Sequence, residues 1–158
     1  MNINDWKPKV DERFEGSWRA PEITHATPTT YGWTVWRPEN FKLGNYVDIG
    51  AGTRIFAHYR VEIGDCVQIG GGCLIYSLST ESLDGEHKGG KVVIEDGAQI
   101  GAGSIIFQGV TIGRGAFVTA GSLVTRDVAP HTVVSSLPPA TEVPKLTAKM
   151  RAARGITE

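Results

Sequence analysis

The sequence predicts an all-β fold: a parallel β-helix of about four or more triangular coils. Three observations lead there. Aliphatic residues recur at every sixth position from Ile94 through Ile100, Ile106, Ile112 and Val118 to Val124. A second comb runs Leu43, Ile49, Ile55, skips two residues, and resumes at Ile63, Ile69 and Ile75. Glycine follows the aliphatic residue in six of these twelve hexads, at Gly44, Gly50, Gly64, Gly70, Gly101 and Gly113. A beat of six fits neither an α-helix, at about 3.6 residues per turn, nor the two-residue alternation of a lone strand. It fits a chain that winds and stacks each turn on the last.

Each hexad reads as a short flat strand and a corner. The aliphatic residue points inward and stacks on its equivalents above and below. The fifth residue also faces inward, where the corner leaves a small volume. It is small or β-branched in eleven hexads (Thr53, Cys73, Ala98, Ser104, Ala116 and Ser122 among them), and Tyr59 is the exception. Three hexads close one coil, so twelve give four.

The beat divides the 158-residue chain into three parts. Residues 1–42 do not follow it. They hold all four tryptophans (Trp6, Trp18, Trp33, Trp36) and Pro8, Pro21, Pro28 and Pro38. So much aromatic surface requires cover, against the β-helix or a neighbouring subunit. Alternatively, one Trp lines a pocket for a substrate. Residues 43–136 form the β-helix, interrupted by a polar, Gly-rich loop at 81–91 and by a two-residue insertion, Val61-Glu62. Loops that break a regular scaffold are where function concentrates. Residues 137–158 form a tail, whose Ala- and Lys/Arg-rich end predicts a short helix over Lys145 to Arg154 that caps the last coil.

Composition excludes several classes. Hydrophobic residues make up 41% and charged residues 21%, with a net charge of -1. No basic block suits nucleic acid or a membrane surface. No apolar run is long enough to span a bilayer, and the first residues are too polar for a signal peptide, so a cytoplasmic protein is expected. The two cysteines, Cys66 and Cys73, are too few for a disulfide framework and read as reduced thiols filling small positions.

The stretches DIGAGTRI, VEIGDCVQIGGG and VVIEDGAQIGAGSIIFQGVTIGRGAFVTAGSLVTRDVAP resemble the bacterial transferase hexapeptide family, over residues 43–140. The resemblance implies a left-handed coil, against the usual right-handed crossover. It also implies an acyltransferase of the sugar O- or N-acetyltransferase kind, with acetyl-coenzyme A as co-substrate and no metal. The acceptor would be a small sugar or nucleotide sugar, and the assembly a homotrimer with the coenzyme between neighbouring prisms. The matching positions for the pantetheine arm are Ala102, Gly103, Ala120 and Gly121. The physics agrees, since a thin amide-bearing arm needs exposed backbone beside small residues. Corner geometry alone also explains those residue types. Arg126, in the VTRD string, and Lys145 in the tail are the candidates for the coenzyme phosphates, Arg through its forked donors.

Acetyl transfer to a hydroxyl or amine needs a group that takes the acceptor's proton. Histidine suits this because its ordinary pKa lies near working pH. Where the family carries a Ser-His after the second coil, this chain has Ser77-Leu78. Two histidines stand in as candidates: His87 in the interrupting loop and His58, fourth in its hexad and therefore outward. Glu81, Asp84 and Glu86 of the loop could orient a histidine or act themselves. An acceptor amine that arrives neutral would need no base. Two rival functions share the fold: a γ-type carbonic anhydrase-like zinc protein, and a non-catalytic assembly or binding module. The first needs three histidines around zinc, and His25, His58, His87 and His131 are scattered along the chain.

Overall fold

The computed structural model describes residues 2–79 and 87–136. These wind into a parallel β-helix of five coils with three flat faces. Face 1 stacks β1 (Thr34–Trp36), β4 (Arg54–Phe56), β7 (Leu74–Tyr76), β12 (Ile105–Ile106) and β15 (Leu123–Val124). Face 2 stacks β2 (Phe41–Leu43), β5 (Val61–Ile63), β10 (Val92–Ile94) and β13 (Thr111–Ile112). Face 3 stacks β3 (Asp48–Ile49), β6 (Gln68–Ile69), β11 (Gln99–Ile100), β14 (Phe117–Val118) and β16 (Val133–Val134). Two further strands, β8 (Leu78–Ser79) and β9 (Lys88–Gly89), form a small antiparallel hairpin outside the faces.

Register between coils is set by the aliphatic residues. Ile55 pairs with Ile75, Ile75 with Ile106, and Ile106 with Val124 on face 1. Ile69 and Ile100, then Ile100 and Val118, do the same on face 3. Of the twelve first positions of the hexads, only Leu43, in the first coil, is not fully buried. The corner position is equally regular: Thr53, Cys73, Ser104 and Ser122 form one buried column at 0–1% exposure. Their polar atoms are satisfied locally, for example Thr53 Oγ1 donating to the Gly70 carbonyl at 2.9 Å. A hydroxyl can therefore occupy this column without a buried, unpaired group. Glycine is required where coils touch most closely. A Cβ on Gly101 would lie 2.2 Å from the Ala120 backbone nitrogen.

The β-helix begins before the beat does. β1 already belongs to it, ahead of Leu43, and Val35 is fully buried beneath Ile55. Val35 and Leu43 are eight positions apart rather than six, which hides the first strand from a six-residue count. Beneath it, His25 bridges to Val35, and Trp33, 2% exposed, fills the base of the core.

The remaining N-terminal chain is a strap along the corner between faces 2 and 3. Trp6 stands edge-on to His131 of the last coil, with ring centroids 5.0 Å apart. It also lies over Gly97, where a Cβ would come within 2.6 Å of its ring. Further along, Asp11 pairs with Arg13, which reaches Asp48 of β3 at 2.9 Å. Trp18 Nε1 donates to the Val47 carbonyl at 3.0 Å. The Trp-rich segment thus packs on its own β-helix and spans the coils from last to first. Among the described residues no helix is long and apolar enough to cross a membrane. The tail, with its expected capping helix and Lys145, lies outside the described residues, as do Glu81, Asp84 and Glu86.

The aliphatic columns carry the stability. Ile106→Ala, in the middle of the face 1 column, is expected to destabilise the fold by about 3 kcal/mol in urea titration, as a buried cavity should. A loss below about 1 kcal/mol would mean that the column does not bear on folding.

Candidate functional site

Five stacked coils force any extra residue out at a corner, and the extra residues collect at one corner. Between faces 1 and 2, the fourth coil crosses from Ile106 to Ile112 in six positions. The second coil takes eight, from Ile55 to Ile63, and the third nineteen, from Ile75 to Ile94. The inward corner residue in those two coils is accordingly Ala57 or Ser77, each fully buried, rather than the fifth residue of the hexad. Tyr59 and Ser79 are displaced outward.

His58 and His87 both stand on this corner, in consecutive coils, and both are exposed. The carbonyl of His58 accepts a hydrogen bond from Asn40 Nδ2 of the coil below at 3.0 Å. His87 stands on the loop side of the hairpin, immediately before β9, with Gly90 at the hairpin's foot. That foot is anchored by Gly90, whose N–H donates to the Ser77 carbonyl at 2.9 Å and whose carbonyl accepts from Gly109 N–H at 3.2 Å. Glu62, on face 2, pins both protruding segments from below. Its carboxylate pairs with Lys91 at 2.8 Å and with Arg60. Those partners, Lys91 first and then Arg60, hold the Glu62 carboxyl below the usual carboxylate range. In the fourth coil of this corner, Gln108 Oε1 is buried with no hydrogen-bond partner among the described residues. Nothing in the sequence marks that atom, because its isolation is a matter of packing.

The corner between faces 3 and 1 is the opposite in character. It carries Ala51-Gly52, Gly71-Gly72, Ala102-Gly103 and Ala120-Gly121, a ridge of small residues along the prism. Ala102, Gly103, Ala120 and Gly121 are all exposed. Gly103 and Gly121 each have φ of +69°, which only glycine adopts freely, and a Cβ on either would meet nothing within 4 Å. The requirement for glycine is therefore conformational, and the space outside is open. Coil-to-coil bonds such as Gly121 N–H to the Ala102 carbonyl, 2.9 Å, keep the ridge rigid.

Arg126 does not join that ridge. It lies exposed between β15 and Val128, on the corner of His58 and His87, beside Asp127, whose carboxylate accepts from Thr111 N–H at 2.7 Å. In one prism the two groups of candidates thus flank face 1. From Gly103 to Phe107 is four strand steps, or roughly 13 Å. From Leu74 of the third coil onward, past Thr34 and Arg54, the outer surface of face 1 between them is apolar. Leu74, Ile105 and Leu123, the last 50% exposed, run along one side. Trp36, Phe56 and Tyr76 stack along the other with ring centroids 4.6 and 4.8 Å apart. Face 3, by contrast, is partly covered by the strap.

Neither cysteine is set up as a nucleophile. Burial pushes both thiols up from their ordinary pKa, and Cys73 is fully buried. Among the described residues no three His, Cys, Asp or Glu side chains gather as a metal site requires.

A family model, the hexapeptide repeat of succinyl-transferase, matches residues 91–126. A curated relative, the bifunctional protein GlmU of Shouchella clausii (strain KSM-K16), is 38% identical over 99 residues, 57% of this chain and 20% of the relative. Among solved structures, the hexapeptide-repeat-containing acetyltransferase VCA0836 of Vibrio cholerae O1 biovar eltor, complexed with acetyl-coenzyme A, is 33% identical. The likeness covers 67% of this chain and 61% of that one, with a TM-score of 0.63. A galactoside acetyltransferase in complex with coenzyme A is 27% identical over 67% of this chain and 56% of that one, also with a TM-score of 0.63. The chain is thus similar to hexapeptide-repeat acetyltransferases, and its fold is a parallel β-helix, consistent with the left-handed coil that the resemblance implies. It spans a fifth of the curated relative and about three-fifths of these solved structures.

Because the folded pKa of Glu62 lies below its unfolded value, its contribution is complete above the ordinary carboxylate range. It is lost as pH falls through the lowered pKa. Urea unfolding between pH 7 and pH 3 is expected to show stability declining on the acid side, with Glu62→Gln removing part of that decline. An identical acid slope in the variant would show that the pair with Lys91 and Arg60 does not hold the corner.

Proposed function

We propose that this protein is an acetyl-coenzyme A-dependent acyltransferase that acetylates a hydroxyl or amine of a sugar or nucleotide sugar. The observation that carries the reading is the bare alanine–glycine ridge, rigid and open, on a fold shared with acetyltransferases solved with acetyl-coenzyme A or coenzyme A. Ala102, Gly103, Ala120 and Gly121 offer backbone for the pantetheine amides to approach. Lys145 of the tail is a cationic partner for the coenzyme phosphates, and Arg126, across face 1 from the ridge of its own prism, would serve a donor lying on a neighbouring prism.

Transfer is direct, in a ternary complex. The acceptor oxygen or nitrogen attacks the thioester carbonyl and its proton passes to a histidine, His87 first and His58 second. The tetrahedral intermediate, its oxyanion held by corner N–H groups, collapses with cleavage of the C–S bond. Coenzyme A leaves as the thiolate and takes a proton, and the acetyl group remains on the acceptor. A half-buried and a buried thiol, both with raised pKa, support a route without an acyl-cysteine.

The ridge and the histidines flank face 1 of a single prism, so a second prism against that face would bring one copy's ridge toward another copy's histidine corner. The apolar surface of Leu74, Ile105, Leu123 and the aromatic stack suits such a contact, and a cytoplasmic homotrimer is the assembly proposed.

Calorimetric titration with acetyl-coenzyme A is expected to give saturable binding, weakened about tenfold or more by Ala120→Trp. A panel of hexoses, amino sugars and nucleotide sugars, read by free thiol release, is expected to show turnover that His87→Ala lowers by about 10²-fold or more. No binding at millimolar acetyl-coenzyme A would remove the donor from this account. Full activity in both His87→Ala and His58→Ala would remove the side-chain base.

A further inference from the structure

The corner between faces 1 and 2 holds one large side chain that the proposed chemistry leaves unused. Tyr59 occupies the fifth place of its hexad, which elsewhere is small or β-branched, yet it is turned outward and 49% exposed. Its backbone is fixed from the next coil. Tyr59 N–H donates to Ser77 Oγ at 2.9 Å, and Ser77 Oγ donates in turn to the Phe56 carbonyl at 2.7 Å. Its ring rises against the hairpin. A Cβ built on Gly89 would fall 1.9 Å from Tyr59 Cε2 and 2.2 Å from Cδ2, so the ring lies directly against the β9 backbone. Gly89 pairs with Leu78 and is two residues from His87.

A hairpin with two residues in each strand does not hold its own position. This one has two supports at its foot. One is the hydrogen bond from Gly90 N–H to Ser77. The other is the Tyr59 ring, whose backbone is tied to the same Ser77. The ring supplies the contact, and no hydrogen bond involves the phenol oxygen among the described residues. Ser77 thus links the two supports, at the place where the family carries its Ser-His.

We propose that Tyr59 is a positioning residue for the transfer. Its ring is the floor on which β9 rests, and it sets where His87 stands relative to the acceptor. This rests on the reading of His87 as the base. An aromatic ring at this place, with glycine opposite it at 89, is a matched pair: a smaller residue at 59 lets the hairpin settle, and a larger one at 89 pushes it away.

The test compares Tyr59→Phe, Tyr59→Ala, Gly89→Ala and His87→Ala, alone and with Tyr59→Ala combined with His87→Ala. Hydrogen exchange at the Gly90 amide gives a readout that needs no acceptor. It is expected to rise about tenfold in Tyr59→Ala and to stay unchanged in Tyr59→Phe. Turnover of acetyl-coenzyme A is followed with glucosamine as acceptor, or with water where glucosamine is not acetylated. Tyr59→Ala and Gly89→Ala are expected to lower kcat by about 10- to 100-fold with the KM for acetyl-coenzyme A unchanged, as displacement of a catalytic group does. Tyr59→Phe is expected to restore activity, and Tyr59→Ala to add no further loss in the His87→Ala background. Should Tyr59→Ala not fold, Gly89→Ala displaces the same contact with the tyrosine intact. Unchanged exchange at Gly90, or a full kcat in Tyr59→Ala beside an impaired His87→Ala, would overturn the positioning role and leave the transferase standing. Full activity in His87→Ala would overturn both the base and the role of Tyr59, while donor binding would still stand or fall by calorimetry.

Discussion

Every coil must lay its inward residues directly on those of the coil below, and the rest of the structure follows from that constraint. The inter-coil spacing is that of neighbouring strands, about 4.8 Å, and backbone hydrogen bonds lock it. An inward aliphatic residue therefore meets its equivalent in the next coil and no other. A column such as Val35, Ile55, Ile75, Ile106 and Val124 excludes water along the whole prism. Such a core tolerates substitution in kind but not a change in length. A coil that gains residues cannot absorb them inside without shifting every column above, so it expels them at a corner.

That rule separates scaffold from chemistry. Two corners are nearly uniform from coil to coil. One of them is covered by the strap that runs from Trp6 to Trp18, and the other is left bare as the alanine–glycine ridge. The third takes the insertions, and with them His58, Tyr59, the hairpin and His87. Rigid backbone suits the binding of a thin, extended donor, because nothing needs to be ordered on binding. Protruding segments suit the acceptor, whose shape varies more. The salt bridges of Glu62 to Arg60 and Lys91, with the bonds from Ser77, limit how far those segments can wander.

Much of the architecture was legible in the sequence because the constraint acts on residue type. Twelve first positions, all Leu, Ile or Val, announced the columns, and the small fifth residues announced the corners. The first strand, β1, was not legible, since the eight positions between Val35 and Leu43 break the count. Nor was the distribution of residues among corners. Arg126 was grouped with Ala120 and Gly121 as coenzyme-binding, although, two positions past Val124, it stands on the other side of face 1. Tyr59 looked like an oversized inward residue, but Ala57 takes that place once the extra residues are expelled. Its contact with Gly89 joins two coils across thirty positions of chain and has no local signature. The isolation of Gln108 Oε1 is likewise a property of three-dimensional packing.

On the proposed reading, the donor lies on the ridge and the reacting centre on the side of the insertions. A crystal structure with bound acetyl-coenzyme A separates this arrangement from its alternatives. The pantetheine arm is expected along Ala102, Gly103, Ala120 and Gly121, with the thioester carbonyl directed toward a corner carrying His58 and His87, in the same prism or in its neighbour. A coenzyme lodged instead beneath the strap, between Trp6 and Cys66, would contradict it.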